Sequence, residues 1–161
     1  MNRSPTRVMF VCLGNICRSP TAHGVMLSRL KEEGLEEHVE VDSAGTASWH
    51  IGRSPDPRSQ HAARQRGVDI SDLKARQVCE ADFHQFDYLL AMDSSNLKDL
   101  KAMHRVCGGT VPQLFVREFA HSFTEQEVPD PYYGGEAGFR HVLDLVEDAC
   151  DGLIADIRSR L

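Results

Sequence analysis

Short apolar runs alternate along this chain with longer stretches in which apolar residues recur every three or four positions. Val8-Met9-Phe10-Val11 is a continuous apolar run ending at Cys12, the pattern of a strand buried on both faces of a parallel sheet. Ala22, Val25, Met26 and Leu30 then keep near-helical spacing; Ser19 is a good N-cap, Pro20 suits the first helical position, and Gly34 stops the run. Val39 and Val41 alternate with polar residues and predict a second strand. Ser43 to Arg58 is rich in Ser, Gly and Pro, predicting a long exposed loop that carries the only tryptophan, Trp49. Asp56 before Pro57 predicts the cap of a helix that runs through Ala62 and Ala63 and stops at Gly67. Phe86 to Met92 reads as another buried strand, followed by a helix capped near Asp93 or Ser94 and lined by Leu97, Leu100 and Met103. Thr110 to Val116 predicts a weaker strand, which Pro112 assigns to a sheet edge. The last helix is the clearest, with Phe139, Val142, Leu143, Val146, Ala149, Cys150, Leu153 and Ile157 in one stripe and Arg158 and Arg160 near its C-terminal dipole end.

Strands alternating with helices, without repeat or linker, predict a single α/β domain over residues 1–161, a parallel sheet with helices on both faces. In such sheets ligands bind beyond the carboxyl ends of the strands, and Cys12 sits at one such end. A chain of 161 residues can bury roughly 70% of the surface it exposes when unfolded, so it needs no covalent staples. Charge narrows the partners. With 18 Lys and Arg against 24 Asp and Glu, the net charge of −6 argues against a nucleic acid or an anionic membrane as partner. No apolar run approaches the roughly 20 residues of a membrane span, and the N-terminus lacks a cleavable signal pattern, so the expected location is cytoplasmic. Five cysteines without CxxC spacing read as reduced thiols, and eight dispersed histidines without HExxH spacing give no metal site.

The chemistry concentrates in Cys12-Leu13-Gly14-Asn15-Ile16-Cys17-Arg18-Ser19, a tight loop between strand and helix. Such a loop can curl until its backbone N–H groups converge on one point, where the helix N-terminus adds partial positive charge, making an anion site. Gly14 and Asn15 tolerate the left-handed backbone that the curl demands. The same dipoles, with Arg18, favour Cys12 as a thiolate, a competent nucleophile at neutral pH. Arg18 offers a planar fork for two phosphoryl oxygens and for the charge they carry in the transition state. The Ser19 hydroxyl can cap the helix and also donate toward the sulfur, easing its departure in a second step.

On these residues the sequence resembles the low-molecular-weight protein tyrosine phosphatases, whose signature is a Cys, five residues and Arg-Ser near the N-terminus. The likeness continues through Trp49, Gly52 to Arg58, Ala75 to Val78, Ala91-Met92-Asp93 and Asp130-Pro131-Tyr132-Tyr133-Gly134 to the final helix. It implies a four-stranded, twisted parallel sheet with flavodoxin-like winding, and a cysteinyl-phosphate intermediate on Cys12 without metal or other cofactor. It also implies Asp130 as the group that protonates the leaving oxygen and then activates water, acting on phosphotyrosine in a protein or peptide and on aryl phosphates. Leu13 through Cys17, with Ser19, would surround the phosphoryl group, and Trp49, Tyr132 and Tyr133 would wall a flat phenyl ring. Asn15, Ser19 and Ser43 resemble a network that holds the loop in its unfavourable backbone shape. The chain departs from the family's usual His just before Gly67, where Arg66 stands. Cys17 would capture an oxidised Cys12 as a disulfide, and Tyr132 and Tyr133 can be phosphorylated in the family, which makes a tyrosine kinase a candidate partner.

Three other readings share the loop. Thiol-coupled arsenate reduction needs a close redox pair of further cysteines, whereas Cys79 and Cys107 lie far apart in sequence. Protein arginine phosphatases resemble this loop except for Thr at the place of Ile16, and an apolar Ile16 leans toward phosphotyrosine. A non-catalytic phosphate-binding module would keep Arg18 and the loop but would not need Cys12. A nucleotide site is disfavoured, because no GxxxxGK motif appears.

Overall fold

A computed structural model describes residues 4–161. In chain order the elements are β1 (Thr6–Cys12), α1 (Arg18–Glu32), β2 (Val39–Gly45), α2 (Pro57–Gln65), α3 (Asp82–Gln85), β3 (Tyr88–Ala91), α4 (Ser94–Cys107), β4 (Gln113–Leu114), α5 (Phe115–Phe119) and α6 (Glu136–Ser159). All strand pairs are parallel, in the spatial order β2-β1-β3-β4. The apolar run of β1 needs burial on both sides and receives it. Val8, Phe10 and Cys12 join the core built with α1 and α6, whereas Met9 and Val11 meet Phe83, Leu97 and Leu100 on the opposite face. No helix among the described residues is long and apolar enough to cross a membrane.

Consecutive strands leave β1 on opposite sides, β2 on one edge and β3 on the other. The crevice at that reversal lies beyond the carboxyl ends of β1 and β3, where open α/β sheets bind their ligands. Cys12 closes β1, and Asp93 follows β3 by two residues.

Some local expectations are corrected. β2 runs through Ser43 to Gly45, so the long loop starts at Thr46; Ser43 and Ala44 are inner positions paired with Phe10 and Val11. The weak strand over 110–116 shrinks to two residues, and Phe115 turns at once into α5 because its ring packs edge-on to Phe10, 4.9 Å between centroids. β4 does form an edge, immediately after Pro112. The one-turn helix α3 has too short a periodicity to be read from sequence. α1 begins two residues earlier than expected. Its N-cap is Cys17, without a side-chain cap, and Ser19 is already inside the helix.

Candidate active site

The loop from Cys12 to Arg18 is fastened from outside through its carbonyls. Cys12 O accepts from Thr46 N at 2.9 Å, Leu13 O from Ala47 N at 2.9 Å, Ile16 O from Asp56 N at 2.8 Å, and Cys17 O from Thr21 Oγ1 at 2.7 Å. Peptide units are planar and trans, so carbonyls held outward turn the N–H groups of Leu13, Gly14, Cys17 and Arg18 toward the loop's interior. The result is a ring of donors at the start of α1, suited to an oxyanion. Gly45 makes this curl sterically possible. A Cβ there would stand 2.6 Å from Leu13 O and 3.1 Å from Asn15 N.

Asn15 is the only non-glycine residue with positive φ (57°) among the described residues. Its side chain compensates for that backbone by local bonding: Nδ2 donates to Ser19 Oγ at 2.7 Å, and Oδ1 accepts from Arg76 N at 3.0 Å. Ser19 Oγ lies 3.0 Å from Cys12 Sγ and 3.4 Å from the Ala44 carbonyl, and because Asn15 already donates to that oxygen, the hydroxyl proton has these two acceptors, the sulfur the nearer. Thus the Ser19 hydroxyl faces the Cys12 sulfur rather than the helix end. Ser43, expected to support the loop, pairs instead with His23 Nδ1 at 3.0 Å and ties α1 to β2. Arg66 turns away to α6, meeting Asp144 at 2.9 Å and Glu147 at 3.2 Å, and the backbone of Arg76 supports Asn15.

Arg18 is 3% exposed and doubly anchored, with Nη1 donating to Asp93 Oδ2 at 2.6 Å and to the Val128 carbonyl at 3.0 Å. Burial works against its charge, but the Cys12 sulfur, then Asp93 and Asp130, outweigh it and hold the guanidinium above its ordinary value. Asp93 caps α4, its Oδ1 accepting from Asn96 N at 2.8 Å, and orients Arg18 with the other oxygen, so one carboxylate fills both roles. Nη2 faces Asp130, 3.9 Å from Oδ2. Asp130 Oδ1 accepts from Tyr132 N at 3.0 Å, and the carboxylate stands 45% exposed above the loop.

These groups enclose a pocket of about 220 Å³ lined by Cys12, Leu13, Gly14, Ile16, Cys17, Arg18 and Asp130, with Trp49, Tyr132 and Tyr133 at its mouth. Asn15 and Ser19 do not line it; they lie beneath, as support. His50 also lines it, a residue sequence reasoning missed because a lone histidine in a polar loop carries no signal. Arg58 was missed as well. It donates to Tyr132 O at 2.8 Å, stacks 5.1 Å from the Tyr132 ring, and is held by Asp56 at 2.9 Å. Burial pushes the Cys17 thiol up to about 12 against a hydrogen bond from Ser59, and the negative groups Asp56, Cys12 and Asp130 add to the rise. Cys17 therefore stays protonated, and all five cysteines are free thiols. Among the described residues no group of three or more His, Cys, Asp or Glu is arranged to hold a metal.

The arrangement offers a sulfur nucleophile, an anion cradle, a fixed cation and a carboxylate at the mouth, the parts needed to move a phosphoryl group. A family profile described as low molecular weight phosphotyrosine protein phosphatase matches residues 7–161. The human low molecular weight phosphotyrosine protein phosphatase is 38% identical over 89% of this chain and 90% of its own. A protein tyrosine phosphatase structure from Entamoeba histolytica superposes with a TM-score of 0.91 at 41% identity, covering 96% of this chain and 97% of the other. A Drosophila arginine phosphatase structure gives a TM-score of 0.86 at 30% identity over 93% and 96%.

Proposed function

The chain belongs to the low molecular weight phosphotyrosine protein phosphatase family, and from that premise we propose that it hydrolyses phosphotyrosine in proteins through a phosphocysteine on Cys12. The observation that carries this reading is Cys12 Sγ at the base of a ring of backbone donors, with Arg18 fixed beside it and Asp130 above. The phosphoryl oxygens sit among the loop amides and the free edge of Arg18, and the Cys12 thiolate attacks phosphorus as the ester bond breaks. Asp130 gives its proton to the departing phenol oxygen. It then takes one from the water that attacks phosphorus, and the Ser19 hydroxyl stabilises the sulfur as it leaves.

A pocket of about 220 Å³ with aromatic walls fits a phenyl phosphate. Ile16 adds an apolar wall where the arginine phosphatases carry Thr. Tyr133 is 95% exposed and open to a tyrosine kinase. The five free thiols suit the reducing cytoplasm, and the net charge of −6 disfavours nucleic acid. Cys17, adjacent in the pocket, serves as a redox guard. When peroxide converts the Cys12 thiolate to a sulfenic acid, the Cys17 sulfur displaces water from it to form a disulfide, which two external thiols reduce again. Peroxide inactivation that dithiothreitol reverses in wild type is expected to persist in Cys17→Ser; equal recovery in both would exclude this role.

The deciding experiment is hydrolysis of p-nitrophenyl phosphate and of phosphotyrosine and phosphoarginine peptides with a chelator present. Wild type is expected to turn over the aryl substrates in preference to phosphoarginine, and Cys12→Ser to fall by about 10⁴-fold or more. A folded, reduced wild type that binds phosphate without turnover would overturn the reading in favour of a binding module.

A further inference from the structure

The pocket over Cys12 has room for a phenyl phosphate and little else, but a protein substrate presents an entire segment of chain. Beside it lies a larger groove of about 530 Å³, between α2 and the start of α6. Pro57, His61, Ala62 and Gln65 line one side, Gly134 and Gly135 the other, and Phe139 lies between them. The partition between the two cavities is a single stack. The Arg58 guanidinium lies 5.1 Å from the Tyr132 ring, which walls the catalytic pocket, and 4.8 Å from the Phe139 ring, which lines the groove.

Charge around the groove cancels in pairs, Arg58 with buried Asp56 at 2.9 Å and Arg140 with Glu136 at 3.6 Å. A neutral rim over an apolar lining selects an uncharged, apolar occupant. The stacking distances put the Tyr132 and Phe139 rings no more than about 10 Å apart, the reach of about three extended residues at roughly 3.3 Å each.

We propose that this groove is a substrate subsite that seats an apolar side chain of the phosphotyrosine polypeptide, about three residues from the phosphotyrosine. The inference rests on the phosphotyrosine reading above and deepens it, since it names a feature the substrate must carry. Gly134 and Gly135 keep the groove open by having no side chains. Gly135 has an ordinary φ of −88°, and a Cβ at that position would meet nothing within 4 Å, so a larger residue there fills space without straining the backbone.

The test uses phosphotyrosine peptides that differ only in carrying Leu or Ser three residues before or after the phosphotyrosine, with p-nitrophenyl phosphate as a ligand too short to reach the groove. Wild type is expected to prefer one Leu peptide over its Ser counterpart by about tenfold in kcat/KM. Gly135→Phe, or Gln65→Trp from the facing helix, is expected to erase that preference and leave p-nitrophenyl phosphate hydrolysis within about twofold. Equal kcat/KM for Leu and Ser peptides in wild type, or a preference that survives both blocking variants, would overturn the subsite alone. Failure of wild type to hydrolyse any of the substrates would overturn the phosphatase reading with it.

Discussion

The two halves of the proposed catalytic site are held in opposite ways. In the loop after β1, Cys12, Asn15, Arg18 and Ser19 are each no more than 3% exposed, and the loop's carbonyls are taken by Thr46, Ala47, Asp56 and Thr21. Across the pocket the Asp130 side chain is 45% exposed and Tyr133 is 95% exposed. This segment is tied by a few bonds, among them Val128 N to Met92 O at 2.8 Å and Arg58 to Tyr132 O at 2.8 Å. Groups that stabilise transition-state charge work by being in place beforehand, so the donors and the cation are buried and fixed. In the proposed mechanism the acid, Asp130, meets leaving groups of different shapes and lets the product go, which a lightly held, solvent-facing segment allows.

That contrast predicts different failures. Asp130→Asn should remove proton transfer without disturbing the cradle, so kcat/KM for a poor leaving group such as phosphotyrosine should fall by about 10² to 10⁴. A leaving group that departs unprotonated, such as dinitrophenolate, should lose far less. Phosphate or vanadate affinity, which reads the loop, should stay near wild type or rise, since a negative charge 3.9 Å from Arg18 has been removed. An unchanged dependence on leaving-group pKa would show that the acid is another residue.

On the rigid side the sensitive point is Asn15. Asn15→Ala keeps a residue that resists φ of 57° and deletes the bonds to Ser19 and Arg76, so the protein should lose about 2 to 4 kcal/mol of stability. Its melting temperature should fall by roughly 5 to 10 °C. Activity should drop about tenfold for every leaving group alike, because the whole cradle is displaced. Asn15→Gly relieves the backbone cost without restoring the bonds, so it should recover only part of the stability. If Asn15→Ala instead reproduced the leaving-group dependence of Asp130→Asn, the separation of the two halves would be wrong.

The same contrast explains what could be read in the sequence. The sheet, its helices and the Cys12-to-Arg18 loop were legible because buried strands, helical stripes and a nucleophile beside a helix start all leave patterns of residue type. Even there, Ser19 misled as a helix cap, since a hydroxyl at a helix start has two uses and spacing cannot choose between them. The Asn15–Ser19 bond of the expected network is present, but the Arg76 support of Asn15 and the Arg58 support of Tyr132 were not legible. Asn15 accepts from the main chain of Arg76, and every residue but proline has that N–H, whereas Arg58 acts through contacts that exist only once α2 and the segment before α6 are brought together. The early end of β4 escaped for a related reason, because Phe115 answers to its packing on Phe10 and not to the strand pattern around it.

A smaller effect probes the underside of the rigid half. His23 lies on α1 behind the loop, its Nδ1 paired with Ser43 Oγ at 3.0 Å. Burial holds its pKa below 6.5, against a weaker opposing pull from Asp42. The unfolded chain therefore binds a proton at that residue before the folded one does. The stability His23 contributes is full above about pH 6.5 and is lost as the pH falls from there through the lowered folded-state value. His23→Gln keeps a partner for Ser43 but cannot charge, so its urea midpoint should decline less than that of wild type between pH 7.5 and pH 5. The acid-side loss in wild type should register as weaker phosphate binding by the loop before any change in the leaving-group dependence assigned to Asp130 in the proposed mechanism. Identical declines in the two proteins would mean that water reaches His23 and that the scaffold beneath the loop is looser than its burial indicates.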